Sequence, residues 1–227
     1  MDNKALVLFN PCYFRGMTNE KLVAGKLLQI QAIRFSPAEP FTWASGWKSP
    51  IYCDNRKALS FPFIRDFIKS EMCNDIFEGY PDANLICGVA TAGIAWGVMA
   101  ADLLKLPCIY CRSEAKSHGL GRQIEGQFEP GQKVVVVEDL VSTGKSSLAV
   151  VEALRANGLE VLGMVAIFTY GFPEAEAAFK KAGVELQTLT NYASLLELSL
   201  ENGTIRPEDH EILLKWSASP STWQGIQ

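Results

Sequence analysis

The sequence lacks an excess of basic residues. Among its 227 residues, Lys and Arg number 21 and Asp and Glu number 25, which gives a formal net charge of −4 at pH 7. A nucleic-acid-binding protein gains much of its affinity by neutralising phosphates, so this balance argues against a nucleic-acid partner. A small anionic ligand would instead need a local cluster of positive charge.

Long apolar runs are also missing. The segment Ala5 to Phe9 is too short and wrongly flanked for a secretory signal, so we expect a cytoplasmic protein. Residues 85–101 carry no charged side chain, but they are rich in Gly and Ala and fall short of the roughly 20 apolar residues of a membrane-spanning helix. They predict a buried strand that runs into a buried helix, and we expect no membrane partner.

The chain has few features of a disulfide or metal protein. Its six cysteines are scattered through apolar segments, and without an export signal we expect reduced thiols in the core. Cys108 and Cys111 form one CxxC pair in a β-like stretch, where residues three apart point to opposite faces of a sheet. The sequence therefore predicts no metal site built from protein side chains.

Strand and helix patterns alternate along most of the chain. The first helix signal is at Thr18 and Asn19, and Ser60 is predicted to cap a helix with Pro62 in its first turn. The alternation that follows predicts an α/β fold with a mainly parallel central sheet flanked by helices. The predicted segments are strands Leu85–Ala90, Cys108–Cys111, Val134–Val137, Glu160–Phe168 and Val184–Leu189, and helices Gly93–Leu104 and Lys145–Ala156.

The most informative stretch begins with a run of four valines, Val134–Val137, followed by Glu138 and Asp139. Such a run predicts a strand buried on both faces, with the acidic pair at its carboxyl end, where parallel sheets place their ligands. The next helix opens at Ser142–Ser146, so free backbone N–H groups face the same crevice. Amides and hydroxyls suit a phosphate, and carboxylates suit ribose hydroxyls or a substrate-bound metal.

Two other interpretations apply to this stretch. It is compatible with an ordinary strand, turn and helix whose acidic pair lies in a solvated turn. Its residues Gly144, Lys145 and Ser146 also resemble the end of a nucleoside-triphosphate P-loop, but a P-loop needs a glycine five positions before Gly144. Asp139 occupies that position, which argues against a P-loop.

A polar loop before the valine run contains the local positive charge that an anionic ligand needs. Arg112, Lys116 and His118 lie close together in a segment with glycines at positions 119, 121 and 126. Glycine permits the backbone changes that a mobile lid requires, so the segment is typical of a functional loop. A solvated surface loop with incidental charges is the alternative.

These motifs resemble those of a known family. Residues 134–147 are similar to the 5-phosphoribosyl 1-diphosphate (PRPP) signature of the type I phosphoribosyltransferases. Arg112 and the Lys-Ser-His-Gly run at 116–119 resemble the catalytic loop of the orotate phosphoribosyltransferases. Residues 41–54 and 88–93 are similar to that family's N-terminal signature and pyrophosphate loop, and the likeness spans about residues 17–215.

The resemblance implies a fold and a reaction. Residues 17–227 are expected to form a single phosphoribosyltransferase domain that includes a small N-terminal hood, 17–56. Residues 1–16 are expected to be an extension that is disordered or not the native start. The implied enzyme is a pentosyltransferase that joins the ribose 5-phosphate of PRPP to orotate, forming orotidine 5′-monophosphate and pyrophosphate in UMP biosynthesis. Mg²⁺ would be bound mainly through PRPP.

The resemblance also implies roles for particular residues. Lys116 and His118 would be catalytic, and Ser142 would also touch orotate. The implied enzyme is a homodimer with shared sites, in which the loop 112–126 of one subunit closes over the other's phosphate loop. The implied PRPP-binding residues are Arg112, Lys116, His118, Glu138, Asp139, Leu140, Val141, Ser142, Thr143, Gly144, Lys145 and Ser146.

This chain departs from many family members at several positions. It has Ala44 and Ser113 where many carry Lys, Thr91-Ala92 where many carry Tyr-Lys, and Tyr170 where many carry an orotate-binding Arg. We therefore assign no ligand role to these residues. The alternative functions are a purine-base phosphoribosyltransferase, or a non-catalytic regulator of the same fold that senses PRPP.

Overall fold

The computed structural model describes residues 17–43, 45–114 and 123–225. The chain divides into two compact units, Met1–Ser60 with Ala193–Gln227, and Phe61–Tyr192. Within the described residues, every helix is too short or too polar to span a bilayer. The predicted extension, 1–16, lies outside the described residues, and the prediction of a single domain from 17 to 227 stays a prediction.

The N-terminal part of the first unit contains a helix and two small antiparallel sheets. Its elements are α1 (Asn19–Gln29), β1 (Ile33–Phe35), β2 (Phe41–Thr42), β3 (Lys48–Ser49), β4 (Ile51–Cys53) and a 3-10 helix (Asn55–Ser60). Thr18 begins α1 by accepting a hydrogen bond from the backbone N–H of Lys21. Strand β1 pairs with β4, and β2 pairs with β3. The predicted helix start is confirmed.

A six-stranded sheet forms the centre of the second unit. The elements of this unit are α2 (Pro62–Gly79), β5 (Leu85–Val89), α3 (Ala92–Leu104), β6 (Cys108–Cys111), β7 (Ile124–Glu125), β8 (Lys133–Val141), α4 (Lys145–Ala156), β9 (Glu160–Thr169), α5 (Pro173–Ala182) and β10 (Leu186–Asn191). The strand order is β10-β9-β8-β5-β6-β7, and every neighbouring pair is parallel except β6 with β7. The predicted mainly parallel sheet is confirmed.

Helices cover both faces of this sheet. On one face, Val134 and Val136 pack in one core with Leu154 of α4 and Phe179 of α5. The alternate residues of β8 point to the opposite face, against which α2 and α3 pack. All four valines of the run 134–137 are completely buried, and burial of each such side chain is worth about 1.5–3 kcal/mol. A strand between two helical layers therefore explains the unbroken apolar run.

Helix α3 approaches the sheet closely because it carries glycines on its inner face. A Cβ atom on Gly93 would lie 2.5 Å from the carbonyl oxygen of Val137, and one on Gly97 would lie 3.0 Å from the Cα atom of Gly88. No larger side chain fits at either contact without a shift of backbone. This packing holds the turn after β5 against the carboxyl half of β8.

Two predicted boundaries differ from the structure. Strand β8 extends four residues beyond Val137 because Glu138, Leu140 and Val141 pair with β9. The predicted Ser60 cap is wrong, because Ser60 ends the 3-10 helix and the extended residue Phe61 precedes α2 without a side-chain cap. The other predicted elements agree within a few residues, and helix α4 has the predicted bounds.

The C-terminal part of the chain forms helices α6 (Tyr192–Glu201) and α7 (Pro207–Ala218). Within the first unit, the Lys21 ammonium lies 2.8 Å from the Glu201 carboxylate, which joins α1 to α6. The indole N–H of Trp216 in α7 donates to the carbonyl oxygen of Lys48, at 3.1 Å, and its ring meets Trp43 edge-on. The first unit is therefore assembled from both ends of the chain.

Candidate active site

The carboxyl ends of β5 and β8 lie side by side where the strand order reverses. From β5 the chain continues to β6 on one side of the sheet, and from β8 it continues to β9 and β10 on the other. The connecting segments diverge at such a point and leave a crevice, which is where open α/β sheets bind ligands. The acidic pair and the loop that opens α4 both lie at this edge.

Glu138 is buried beside the first turn of α4. Its side chain is only 5% exposed. One carboxyl oxygen accepts a hydrogen bond from the Asp139 backbone N–H at 3.0 Å, and the other accepts one from the Ser147 hydroxyl at 3.1 Å. Burial, followed by the negative charge of Asp139, raises the pKa of the Glu138 carboxyl well above its usual value. The raised pKa favours a neutral Glu138, which leaves the pair with less negative charge than two free carboxylates.

Asp139 is the more accessible member of the pair. Its side chain shares a hydrogen bond with that of Glu138, and it is partly exposed. Gly93 lies at that edge of β8, since a Cβ atom on it would be 3.3 Å from the Cα atom of Glu138. The structure therefore places the backbone of Val137 and Glu138 against the turn that follows β5.

The phosphate loop, Ser142–Ser146, connects β8 to α4 as predicted. Ser142 and Thr143 are partly exposed, and Gly144 is buried with a positive φ of 78°. Helix α4 begins after Gly144 with no side-chain cap and with no acidic residue in its first turn. The first backbone N–H groups of a helix lack partners within the helix, so this end suits a phosphate.

Residues at the end of β9 and just after it hold the start of this loop. The carbonyl oxygen of Val141 accepts hydrogen bonds from the Thr169 hydroxyl, at 3.3 Å, and from the Tyr170 backbone N–H, at 3.2 Å. The Thr169 hydroxyl also accepts from the backbone N–H of Gly171, at 3.1 Å. Sequence analysis missed Thr169, although a hydroxyl at the end of an otherwise apolar strand is a usable signal.

The turn after β5 offers backbone groups and one hydroxyl to a ligand. The Ala90 backbone N–H donates to the carbonyl oxygen of Cys111, at 2.8 Å, and the Ala90–Thr91 peptide bond is cis. The Thr91 side chain is exposed, and Gly93 packs against β8. Since residues 90–93 carry no charged side chain, an anion bound here would contact amides and the Thr91 hydroxyl.

Arg112 lies at the carboxyl end of β6, where the basic loop begins. Its backbone N–H donates to the carbonyl oxygen of Gln123, at 3.0 Å, and the guanidinium lies 5.8 Å from the centre of the Tyr110 ring. The Nε atom of Arg112 is buried without a hydrogen-bond partner among the described residues. Lys116 and His118, the predicted catalytic residues, lie outside the described residues.

The basic loop is anchored on the far side of β5 from the phosphate loop. Strands β6 and β7 pair as an antiparallel hairpin, and β5 separates β6 from β8. The structure thus brings Glu138, Asp139 and Ser142–Ser146 together at one strand end, and places Arg112 two strands away.

Tyr170 stands where many family members carry an orotate-binding Arg. It is buried, its ring stacks on that of Phe172 with a centroid distance of 5.3 Å, and it meets Phe168 edge-on at 5.1 Å. The ring is thus engaged in an aromatic cluster. Ala44 lies outside the described residues, and Ser113 is partly exposed.

The sheet and its loop define an α/β protein suited to a phosphorylated ligand. A family model described as "Phosphoribosyl transferase domain" matches residues 65–192, more than half of the chain. An orotate phosphoribosyltransferase of Bacteroides thetaiotaomicron is 56% identical over 206 residues, which are 91% of this chain and 97% of that protein. One of Listeria monocytogenes serotype 4b is 50% identical over 207 residues, or 91% and 99%. The chain belongs to the phosphoribosyltransferase family, among the orotate phosphoribosyltransferases.

Solved structures are similar to this fold. The orotate phosphoribosyltransferase of Aeropyrum pernix superposes with a TM-score of 0.67 at 27% identity, over 77% of this chain and 97% of that one. The UMP synthase of Leishmania donovani gives a TM-score of 0.74 at 28% identity, over 87% of this chain. This chain spans 42% of the UMP synthase.

Proposed function

We propose that this chain is an orotate phosphoribosyltransferase, which transfers the ribose 5-phosphate of PRPP to orotate and releases pyrophosphate, a step of UMP biosynthesis. The observation that carries the proposal is the 56% identity over 206 residues to a relative with that name. The position of the phosphate loop at the switch point of the sheet supports it.

The site residues have distinct proposed tasks. The backbone N–H groups and hydroxyls of Ser142–Ser146 bind the 5-phosphate at the positive end of α4. Asp139 faces the ribose and opposes the positive charge that develops on the sugar as the bond to pyrophosphate breaks. Glu138, which is buried, orients Asp139, and Ser142 contacts orotate. Leu140 and Val141 continue the strand that presents these groups.

Mg²⁺ is the proposed cofactor. Among the described residues, no group of three or more His, Cys, Asp or Glu side chains could hold a metal ion. This fits an ion bound mainly through phosphate oxygens of PRPP, as Mg²⁺ often is. When bound, it neutralises charge on the leaving pyrophosphate.

The basic loop would act on the same leaving group. Lys116 and His118 are proposed to stabilise the negative charge that grows on pyrophosphate, with Arg112 at the base of the loop. A closed loop would also exclude water, which otherwise hydrolyses PRPP. We propose that the reaction takes place in the cytoplasm.

Loss of orotate absorbance after addition of PRPP and Mg²⁺ tests the activity. Asp139→Asn serves as the matched control, because it keeps the side-chain shape and removes the charge. Turnover of adenine, guanine or hypoxanthine in place of orotate would show a purine-base enzyme. Binding of PRPP with no turnover of any base would show a regulator.

A homodimer is proposed because apolar side chains are exposed on neighbouring helices. On α2, Phe63 is 92% and Phe77 is 72% exposed, and α3 exposes Val98 and Leu103. Monomeric proteins seldom expose large apolar groups together, and a twofold interface between identical subunits would cover them. In the proposed dimer, the basic loop of one subunit closes over the phosphate loop of the other.

Mixed dimers test whether the sites are shared. Lys116→Ala removes the proposed catalytic side chain of the basic loop, and Asp139→Asn removes the charge that faces the ribose in the crevice. Each homodimer should therefore be nearly inactive. Refolding the two variants together should recover up to about a quarter of the wild-type activity, because random assortment makes half of the dimers mixed and each has one intact site. If subunits demonstrably exchange and no activity returns, each subunit closes its own loop.

A further inference from the structure

Gly144 in the phosphate loop packs beneath an aromatic ring of helix α5. A Cβ atom on Gly144 would lie 2.7 Å from Cε2 and 3.2 Å from Cδ2 of Phe179. Gly144 and Phe179 are both buried. The positive φ of 78° at Gly144 is a conformation that glycine adopts readily. The ring therefore covers the residue at which the loop turns into α4.

The opposite end of the loop is held by the same segment of chain. Thr169 ends β9, and its hydroxyl donates to the carbonyl oxygen of Val141, the residue before Ser142. The backbone N–H of Gly171 donates to the same hydroxyl and fixes its position. Residues 169–179 thus contact the phosphate loop before its first residue and at Gly144.

Thr169 and Phe179 also line one pocket. Its volume is about 330 Å³, and its wall includes Thr169, Gly171, Phe179 and Leu186.

We propose that Phe179 and Thr169 are positioning residues for the phosphate loop, holding Ser142–Gly144 in the conformation that receives the 5-phosphate of PRPP. This inference rests on the proposed function of the loop. In this proposal, neither residue touches the substrate. They act by keeping the loop ordered before the phosphate arrives, so that binding does not have to order it.

Steady-state kinetics of Phe179→Ala test the inference. The KM for PRPP should rise about tenfold, since ordering even one loop residue on binding has a cost of that size. The KM for orotate should change much less. Phe179→Leu, which still covers Gly144, should recover most of the PRPP affinity. Thr169→Val should raise the KM for PRPP by loss of the hydroxyl, and Thr169→Ser should not.

Phe128→Ala is the matched control. Phe128 packs partly buried against the same core, but it precedes the amino end of β8, at the other end of that strand from the loop. Its truncation should lower the Tm and leave the KM for PRPP unchanged. If Phe179→Ala behaves in the same way, the inference is wrong. Should Phe179→Ala fail to fold, the near-isosteric Thr169→Val decides, and a wild-type KM for PRPP in that variant overturns the proposal.

A wild-type protein that is inactive with orotate and PRPP would refute the proposed function instead. Binding of inorganic phosphate, measured by calorimetry, would then test the loop itself. Weaker phosphate binding by Phe179→Ala than by Phe128→Ala would support the positioning role. Equal binding by the two variants, or no binding by the wild type, would overturn it.

Discussion

Replacement of Gly93 by alanine should damage the contact between the turn after β5 and strand β8. Gly93 is the second residue of α3, where an ordinary glycine-to-alanine change stabilises a helix by about 0.5–1 kcal/mol. Here the added Cβ atom would lie 2.5 Å from the carbonyl oxygen of Val137 and 3.3 Å from the Cα atom of Glu138. Both are backbone atoms of a central strand, so neither can move without shifting the sheet.

The expected magnitude follows from these two opposing effects. Overpacking in a well-packed core costs about 1–3 kcal/mol, and backbone neighbours favour the upper end of that range. When the stabilisation of the helix is subtracted, the free energy of unfolding falls by about 2 kcal/mol. For a chain of this size, that lowers the Tm by about 4–8 °C. The turn at Ala90–Gly93 would also move away from Glu138, so kcat should fall.

Thermal unfolding and steady-state kinetics measure the two effects. Gly79→Ala is the control, because Gly79 is also helical but its added Cβ atom would meet only the end of the Gln187 side chain, at 2.9 Å. That side chain can rotate away, so Gly79→Ala should have a Tm equal to or slightly above that of the wild type, with unchanged activity. A Gly93→Ala protein as stable as Gly79→Ala would refute this account of how α3 packs on the sheet.

Three further predictions concern ionisable groups. The pKa of Glu138 is raised by burial, so its ionisation destabilises the fold as pH rises above the usual Glu range. Denaturation curves should therefore show that Glu138→Gln is more stable than the wild type at pH 8. The difference should vanish at low pH, where Glu138 is protonated in both the folded and the unfolded protein. Lys116→Ala should lower kcat about 100-fold, a loss near 3 kcal/mol, with little change in PRPP affinity, and an unchanged kcat would exclude a catalytic role. Burial raises the pKa of Cys111 to about 11, so mass spectrometry after alkylation at pH 8 should find Cys111 labelled only in unfolded protein.

The parts of the fold that depend on local pattern could be predicted from the sequence. The valine run predicted a strand with helices on both sides, and the residues from Lys145 to Ala156 predicted α4 with its observed bounds. The extension of β8 through Val141 could not be predicted, because Glu138 and Asp139 do not favour a strand. They continue it only since β9 supplies pairing partners.

The sequence pattern did not indicate Thr169 and Phe179, the residues that contact the phosphate loop, for a similar reason. Thr169 and Phe179 follow Gly144 by 25 and 35 residues, so no local spacing connects them to the loop. Only the parallel pairing of β8 with β9 brings their chain segment to Val141. Motifs therefore indicated the groups that would meet the substrate, while the residues that hold those groups depended on the topology of the sheet.

The first unit is built from residues near both ends of the chain, which affects the order in which the two units can fold. The second unit, Phe61–Tyr192, is continuous in sequence, so all of its strands are available once residue 192 has been synthesised. In contrast, Lys21 and Trp43 find their partners, Glu201 and Trp216, only after residues beyond the second unit have been synthesised. Contacts of such long sequence separation form slowly. On the ribosome, the sheet can therefore assemble first, and the N-terminal segment gains these contacts only after α6 and α7 have been synthesised.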